Sequence, residues 1–193
     1  MKSDRTQERL ARLVKERVEI VPYDPAWPLA FQEEHTRLLR LVPEDIRLRV
    51  EHIGSTAVPG CSAKPIIDIQ VEVNSLDRVR EVVVPVMEAE GYEFIWRPTI
   101  GEEAPFYAWF IKRNSNGERT HHIHMVESDK ASEDRLLFRD HLCKDPSTLA
   151  AYEALKKELC LAHPVDRVRY TAGKTAFIAQ VVRQARQEGA RLD

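Results

Sequence analysis

Residues 65–73, Pro-Ile-Ile-Asp-Ile-Gln-Val-Glu-Val, limit the fold more than any other stretch of this chain. Ile67, Ile69, Val71 and Val73 alternate with Asp68, Gln70 and Glu72, so an extended backbone sends the aliphatic side chains to one face and the polar ones to the other. Such a strand needs a sheet around it and a core on one side. Pro65 can open the strand but cannot sit in a central stretch of it. Residues 46–53 repeat the period, with Ile46, Leu48 and Val50 set against Arg47, Arg49 and Glu51. Val18–Val21, closed by Pro22 and Pro25, is a shorter strand candidate.

Three more strands are expected at Tyr92–Trp96, Phe106–Lys112 and Thr120–Val126, with Asn114-Ser115-Asn116-Gly117 turning the last two into an antiparallel hairpin. Helical spacing begins at Pro25-Ala26-Trp27, where Phe31, Leu38, Leu39 and Val42 recur before Pro43. Ser75 caps a second helix that reaches about Glu90 and stops at Gly91. Beyond residue 131 the chain reads as helical: Leu149, Tyr152, Leu155 and Leu159 form one stripe, and Phe177, Ile178, Val181 and Val182 mark a last helix. The expected fold is α+β, a mixed sheet of about four or five strands with helices packed against it and a helical C-terminal part. One domain is expected over 18–185, preceded by an N-terminal helix or arm (1–17) and followed by a tail (186–193).

A chain of 193 residues can bury a core without disulfides or structural metal. Its formal charge of −2 supplies no bulk attraction for duplex nucleic acid or an anionic membrane, so neither is expected as a partner. The first twenty residues lack the apolar segment of a signal peptide, and no run of about 18 apolar residues occurs. Cys61, Cys143 and Cys160 are odd in number and far apart, which suits free thiols in a reducing compartment. The cytoplasm is the expected location. The oligomeric state cannot be read from these features.

Chemistry concentrates at Gly54-Ser55-Thr56, directly after the strand at 46–53. A glycine there lets backbone approach an oxyanion, the two hydroxyls add donors, and Lys64 adds a point charge suited to phosphate. A plain connecting turn would use the same small residues. Asp68 offers a hard oxygen ligand of the kind that holds magnesium or manganese against substrate phosphates; it could instead pair with Lys64 or an arginine.

The stretches HIGSTAVPG (52–60), KPIIDI (64–69), HHIHMV (121–126), LLFRDHL (136–142) and RYTAGKTAFI (169–178) together resemble the GrpB family, within the nucleotidyltransferase-fold superfamily. The early VPYDPAWPLAFQEE (21–34) also looks like that family's opening, so the resemblance spans about residues 18–185. It implies a nucleotidyltransferase-like core, a bacterial cytosolic setting and a largely uncharacterised reaction. Similar domains fused to dephospho-coenzyme A kinase point to nucleotide or coenzyme A metabolism. In the superfamily, Gly-Ser precedes a strand with two acids two residues apart, and a third acid follows on a neighbouring strand. Gly54-Ser55 and Asp68 match the turn and the first acid, but Gln70 stands at the second position and cannot supply an anionic ligand. Glu72 lies about 6–7 Å further along.

His122 and His124, two apart on an expected strand, put both rings on one face. The family pattern places them near the third acid. With Asp68 they would make a 2-His-1-carboxylate set suited to zinc, iron or manganese more than magnesium, and His52 could join them. They could equally be hydrogen-bonding groups lining a polar cleft. His121 faces the other way. Arg139, Tyr170 and Lys174 lie in matching segments; Lys174, early in the last helix, is a candidate for a bound anion or an ordinary solvated lysine. Trp27, Trp96 and Trp109 read as core or sheet-face residues.

The leading expectation is a metal-dependent nucleotidyltransferase-like protein that takes a small phosphorylated molecule, a nucleotide or coenzyme A-like compound. Asp68, His122 and His124 would be catalytic or metal-ligating, and Gly54, Ser55, Thr56, Lys64 and Lys174 would bind phosphate. The alternatives are a non-catalytic module of the same fold that binds a phosphorylated ligand, and a His/Asp metal-dependent hydrolase.

Overall fold

A computed structural model describes residues 17–97 and 107–189. The expected N-terminal helix or arm falls outside the described residues apart from Arg17, as does Phe106. Helix α1 (Trp27–Leu41) leads into strand β1 (Arg47–Ile53), a short 3-10 turn (Ser55–Ala57) and strand β2 (Ile67–Val73). Helical turns α2 (Leu76–Arg78) and α3 (Val84–Ala89) flank a π-helical turn (Val79–Val83), followed by strands β3 (Glu93–Arg97), β4 (Tyr107–Arg113) and β5 (Arg119–Glu127). Helices α4 (Lys130–Lys144), α5 (Pro146–Ala162), α6 (Arg167–Ala172) and α7 (Thr175–Gly189) complete the described chain. Residues 186–189 continue α7.

Local chemistry sets the boundaries. Ser75 Oγ accepts from the Arg78 N–H at the start of α2. Pro85, at the start of α3, has no N–H to offer the preceding turn, and the backbone widens to the π turn just before it. Asn114 Oδ1 accepts from the N–H groups of Asn116 (3.0 Å) and Glu118 (2.9 Å), and Gly117 adopts φ +80° to close the β4–β5 hairpin. Asp129 and Ser132 cap α4 reciprocally, and Asp145 caps α5 through the N–H groups of Ser147 and Thr148.

The five strands form one mixed sheet in the order β1-β2-β5-β4-β3. β2 and β5 run parallel, and the other neighbours are antiparallel. Ile67, Ile69, Val71, Val73, Phe110, Ile123 and Met125 cover one face and pack against Trp27, Leu38, Val79, Val83 and Met87 from α1 to α3. Each aliphatic or aromatic side chain fully buried there contributes about 1.5–3 kcal/mol of transfer free energy. The opposite face carries Asp68, Gln70, His122 and His124 beside a small cluster of Ile95, Trp109 and Ile111, and α4 crosses its β1–β2 side. A helical core of Val58, Cys61, Phe138, Leu142, Tyr152, Val181 and Val182 joins α4, α5 and α7 to the turn after β1.

Two expectations change. Val18–Val21 is not a strand: among the described residues its pairing is confined to a single bridge, Val21 with Ala63, and Pro22 has no donor to extend it. Leu48 does not face the core but is 61% exposed, because the register shifts between Arg47 and Arg49 and leaves it as the extra residue of a bulge on an edge strand.

Candidate functional site

The parallel pairing of β2 with β5 sets Asp68 opposite His122 and Gln70 opposite His124. Directly paired residues share a face, so one carboxylate and two imidazoles converge: His122 Nδ1 lies 3.1 Å and His124 Nε2 3.8 Å from Asp68 Oδ1. One ligand atom from each residue falls within 4.8 Å of the other two. Since a carboxylate only accepts, His122 Nδ1–H is the donor to Asp68. Burial alone would raise the Asp68 carboxyl, but hydrogen bonds and charge from His122 and His124 overcome it and hold the group well below its usual range. Burial pushes His122 down, against the pull of Asp68, so an ionised carboxylate faces neutral imidazole near pH 7. Trp109 walls the group, with its ring edge-on to His122 at 5.0 Å and stacked on His124 at 6.2 Å; Tyr107 lies 5.3 Å from His124. The side chains of His122, His124 and Asp68 are 9%, 17% and 31% exposed, so the cluster opens on its Asp68 side.

That opening meets the turn after β1. Gly54 takes φ +72°, a conformation glycine tolerates best, and the Asp68 side chain packs directly on it. Ser55 Oγ lies 3.3 Å from Lys156 Nζ. Lys156, from α5, is only 2% exposed; its ammonium also reaches Cys61 Sγ at 3.0 Å, donates to the Ser62 carbonyl and lies 4.7 Å from the Tyr152 ring centre. The Tyr170 ring carries two further ammonium groups, Lys174 at 4.7 Å and Lys64 at 5.8 Å. Burial lowers Lys174 to about 8; the nearby Asp68 carboxylate opposes that shift, while Lys156 and Arg167 add to it. Lys64 bears electrostatically on His122. Asp68 thus stands between two imidazoles and a cationic, hydroxyl-bearing pocket. Lys174 precedes α7 instead of lying within it, and the half-buried site over Tyr170 explains why it is not simply solvated.

The remaining candidates lie elsewhere. His52 pairs with Ile69 on the α1 face, stacks on Phe31 at 4.7 Å and 7°, and exchanges a 3.0 Å hydrogen bond with Thr56 Oγ1. It is therefore not brought into the Asp68 group, and the Thr56 hydroxyl is turned to it. Burial lowers His52 to about 4. Gln70, on the Asp68 face, accepts from Arg135 (3.0 Å) and donates to the Ser132 carbonyl (3.3 Å). Glu72 is held by Arg49 at 3.0 Å and accepts from Ser132 Oγ at 3.4 Å. Arg139 anchors α4 to the end of β1 through Glu51 and the His52 carbonyl, both at 2.8 Å. His121 is buried on the α1 face, and Trp109 is the tryptophan that touches the site.

One site residue was not expected from sequence. Lys156 sits in a Lys-Lys-Glu run that reads as a solvated helix face, and only the packing of α5 under the turn reveals its place. The position of His52 did carry a signal, since it has the parity of Val50 and shares that residue's face.

The class is defined by a fold in which a glycine-serine turn faces a carboxylate–imidazole group. Within it, the family model for the GrpB protein matches residues 17–184, and this chain belongs to the GrpB family. UPF0157 protein PA4798 of Pseudomonas aeruginosa is 37% identical over 179 residues, 92% of this chain and 72% of that protein. The crystal structure of the conserved protein GrpB from Enterococcus faecalis superposes with a TM-score of 0.74 at 35% identity, covering 88% of this chain and 98% of that one. A dephospho-CoA kinase of Mycolicibacterium paratuberculosis is 31% identical over 188 residues, 87% of this chain but 46% of the kinase. A cytoplasmic RNA terminal U-transferase overlaps more loosely, with a TM-score of 0.47 and 14% identity. Among the described residues no helix is long and apolar enough to cross a membrane.

Proposed function

We propose that the chain acts on a small phosphorylated compound of the nucleotide or coenzyme A type, with a divalent metal held by Asp68, His122 and His124. The observation that carries this reading is their mutual approach within 4.8 Å, with Gly54 packed on Asp68 and with Lys64 and Lys174 near enough to bear electrostatically on the group. The donor set fits one borderline ion such as zinc or manganese better than a magnesium pair, because Gln70 and Glu72 are both committed to structural partners. Among the described residues the buried His122 Nε2 has no hydrogen-bond partner, so the ring can shift its proton and present Nδ1 as a ligand. A bound ion would supply Lewis-acid polarisation of a phosphoryl oxygen. The chain's own groups do the rest: Lys64 and Lys174 balance phosphate charge, Ser55 donates to an oxygen, and Trp109 keeps water from the imidazoles. The dephospho-CoA kinase likeness is consistent with this ligand class.

The test is metal analysis of untagged protein with nucleotide titration, on wild type and Asp68→Asn. About one ion per chain, lost in the variant together with metal-dependent nucleotide binding, is the expected result. A second reading, a binding module without chemistry, is favoured by Gln70 at the position of an expected acid. Nucleotide binding that ignores chelator and the Asp68 substitution alike would select it.

A further inference from the structure

A recess of about 700 Å³ opens where four separate segments meet beside the Asp68 group. The fold builds it deliberately. The Val18 N–H donates to the Pro164 carbonyl at 2.9 Å, Val21 bridges Ala63, and Ile67 pairs with His121, so the chain before α1, the approach to β2, the β4–β5 turn and the start of α6 share one rim. Five bases line it: Arg17, Lys64, Arg113, Arg119 and Arg167. Two acids oppose them, Glu19 and Glu118, in a chain whose overall charge is −2. Glu118 is held by Asn114 at 2.8 Å, and Arg113 by Glu93 at 3.1 Å.

This recess runs into the site already described. Thr120, on its wall, precedes His122 by two residues on β5, a separation of about 6–7 Å along the strand. Lys64 belongs to both, lining the recess and standing over Tyr170. The volume lies within the range of about 300–1,000 Å³ found for small-molecule pockets. Cationic lining of a pocket this size suits concentrated negative charge on a small molecule.

We propose that this recess is a second anion subsite, and that the ligand is a small molecule with two phosphate-bearing ends, one at Asp68 and Ser55 and one here. The assignment of the first end rests on the function proposed above; the recess itself does not.

Calorimetric titration with adenosine 3′,5′-bisphosphate and with 5′-AMP separates the two. Wild type is expected to prefer the bisphosphate by tenfold or more. Arg167→Ala, and Arg17→Glu as a variant of an exposed side chain that leaves the fold untouched, are expected to erase the preference while 5′-AMP affinity stays within about twofold; thermal melts confirm folding. Asp68→Asn is expected to weaken both ligands and keep the preference. If Asp68→Asn instead binds both like wild type, the metal-site reading fails and the subsite stands. Equal affinity of wild type for the two ligands, a preference that survives in Arg17→Glu and Arg167→Ala, or tighter binding of an oligoribonucleotide than of the bisphosphate would overturn the proposal.

Discussion

A β-carbon built on Gly54 stands 2.8 Å from Asp68 Oδ2 and 3.2 Å from Asp68 Cβ, so the glycine makes room for the carboxylate. The backbone at 54 also has φ +72° with ψ −173°, a conformation that costs any residue but glycine about 1–3 kcal/mol. Gly54→Ala is expected to displace Asp68 towards its imidazoles, lowering metal occupancy more than it lowers stability. Metal content set beside a thermal melt checks the contrast; a variant with full occupancy would refute it.

Lys156 is the most exacting buried charge near the turn. Replacing it with methionine keeps the aliphatic stem but strips donors from the Ser62 carbonyl and Ser55 Oγ. The expected cost is about 1–3 kcal/mol, with weaker phosphate binding because Ser55 loses its anchor. Denaturant unfolding and a phosphate titration measure the two effects.

Gln70→Glu restores the acid that the superfamily pattern expects, yet it should not create a second metal ligand. Arg135 already reaches Gln70 Oε1, and the Ser132 carbonyl would face a carboxylate oxygen in place of an N–H donor. We expect destabilisation of about 1–3 kcal/mol and unchanged metal stoichiometry. Two ions per chain in this variant would show that the position is not committed to structure.

Burial holds His52 neutral, with its pKa lowered from 6.5 to about 4. The unfolded chain therefore binds more protons than the folded one between these values. The stability from this group is complete above about pH 6.5 and is lost as pH falls towards 4. His52→Phe, which keeps the stack on Phe31, should flatten that part of the stability–pH profile without changing metal content. Urea midpoints from pH 4 to 7 give the slope; an unaltered slope would assign the acid sensitivity elsewhere.

Much of this was legible from residue alternation. The period of Ile67 to Val73 gave the strand and the face of Asp68, and the spacing of His122 and His124 put both rings on one side. The adjacency of Asp68 and His122 was less accessible, because it depends on which strands pair and in what register, a long-range choice that local pattern does not encode. Leu48 misled because a bulge breaks the period at one residue. Lys156 was hidden for a different reason: its neighbours on α5 are charged, and tertiary packing alone decides which lysine goes under the turn.

The parallel join of β2 and β5 has a kinetic consequence. These partners lie more than fifty positions apart, with two other strands and a helical segment between them. Closing so long a loop is entropically slow, so the Asp68–imidazole group is expected to form only as the sheet finishes assembling. A partly folded intermediate should thus be blind to metal and phosphate alike, and recovery of binding during refolding should trail the recovery of helical signal.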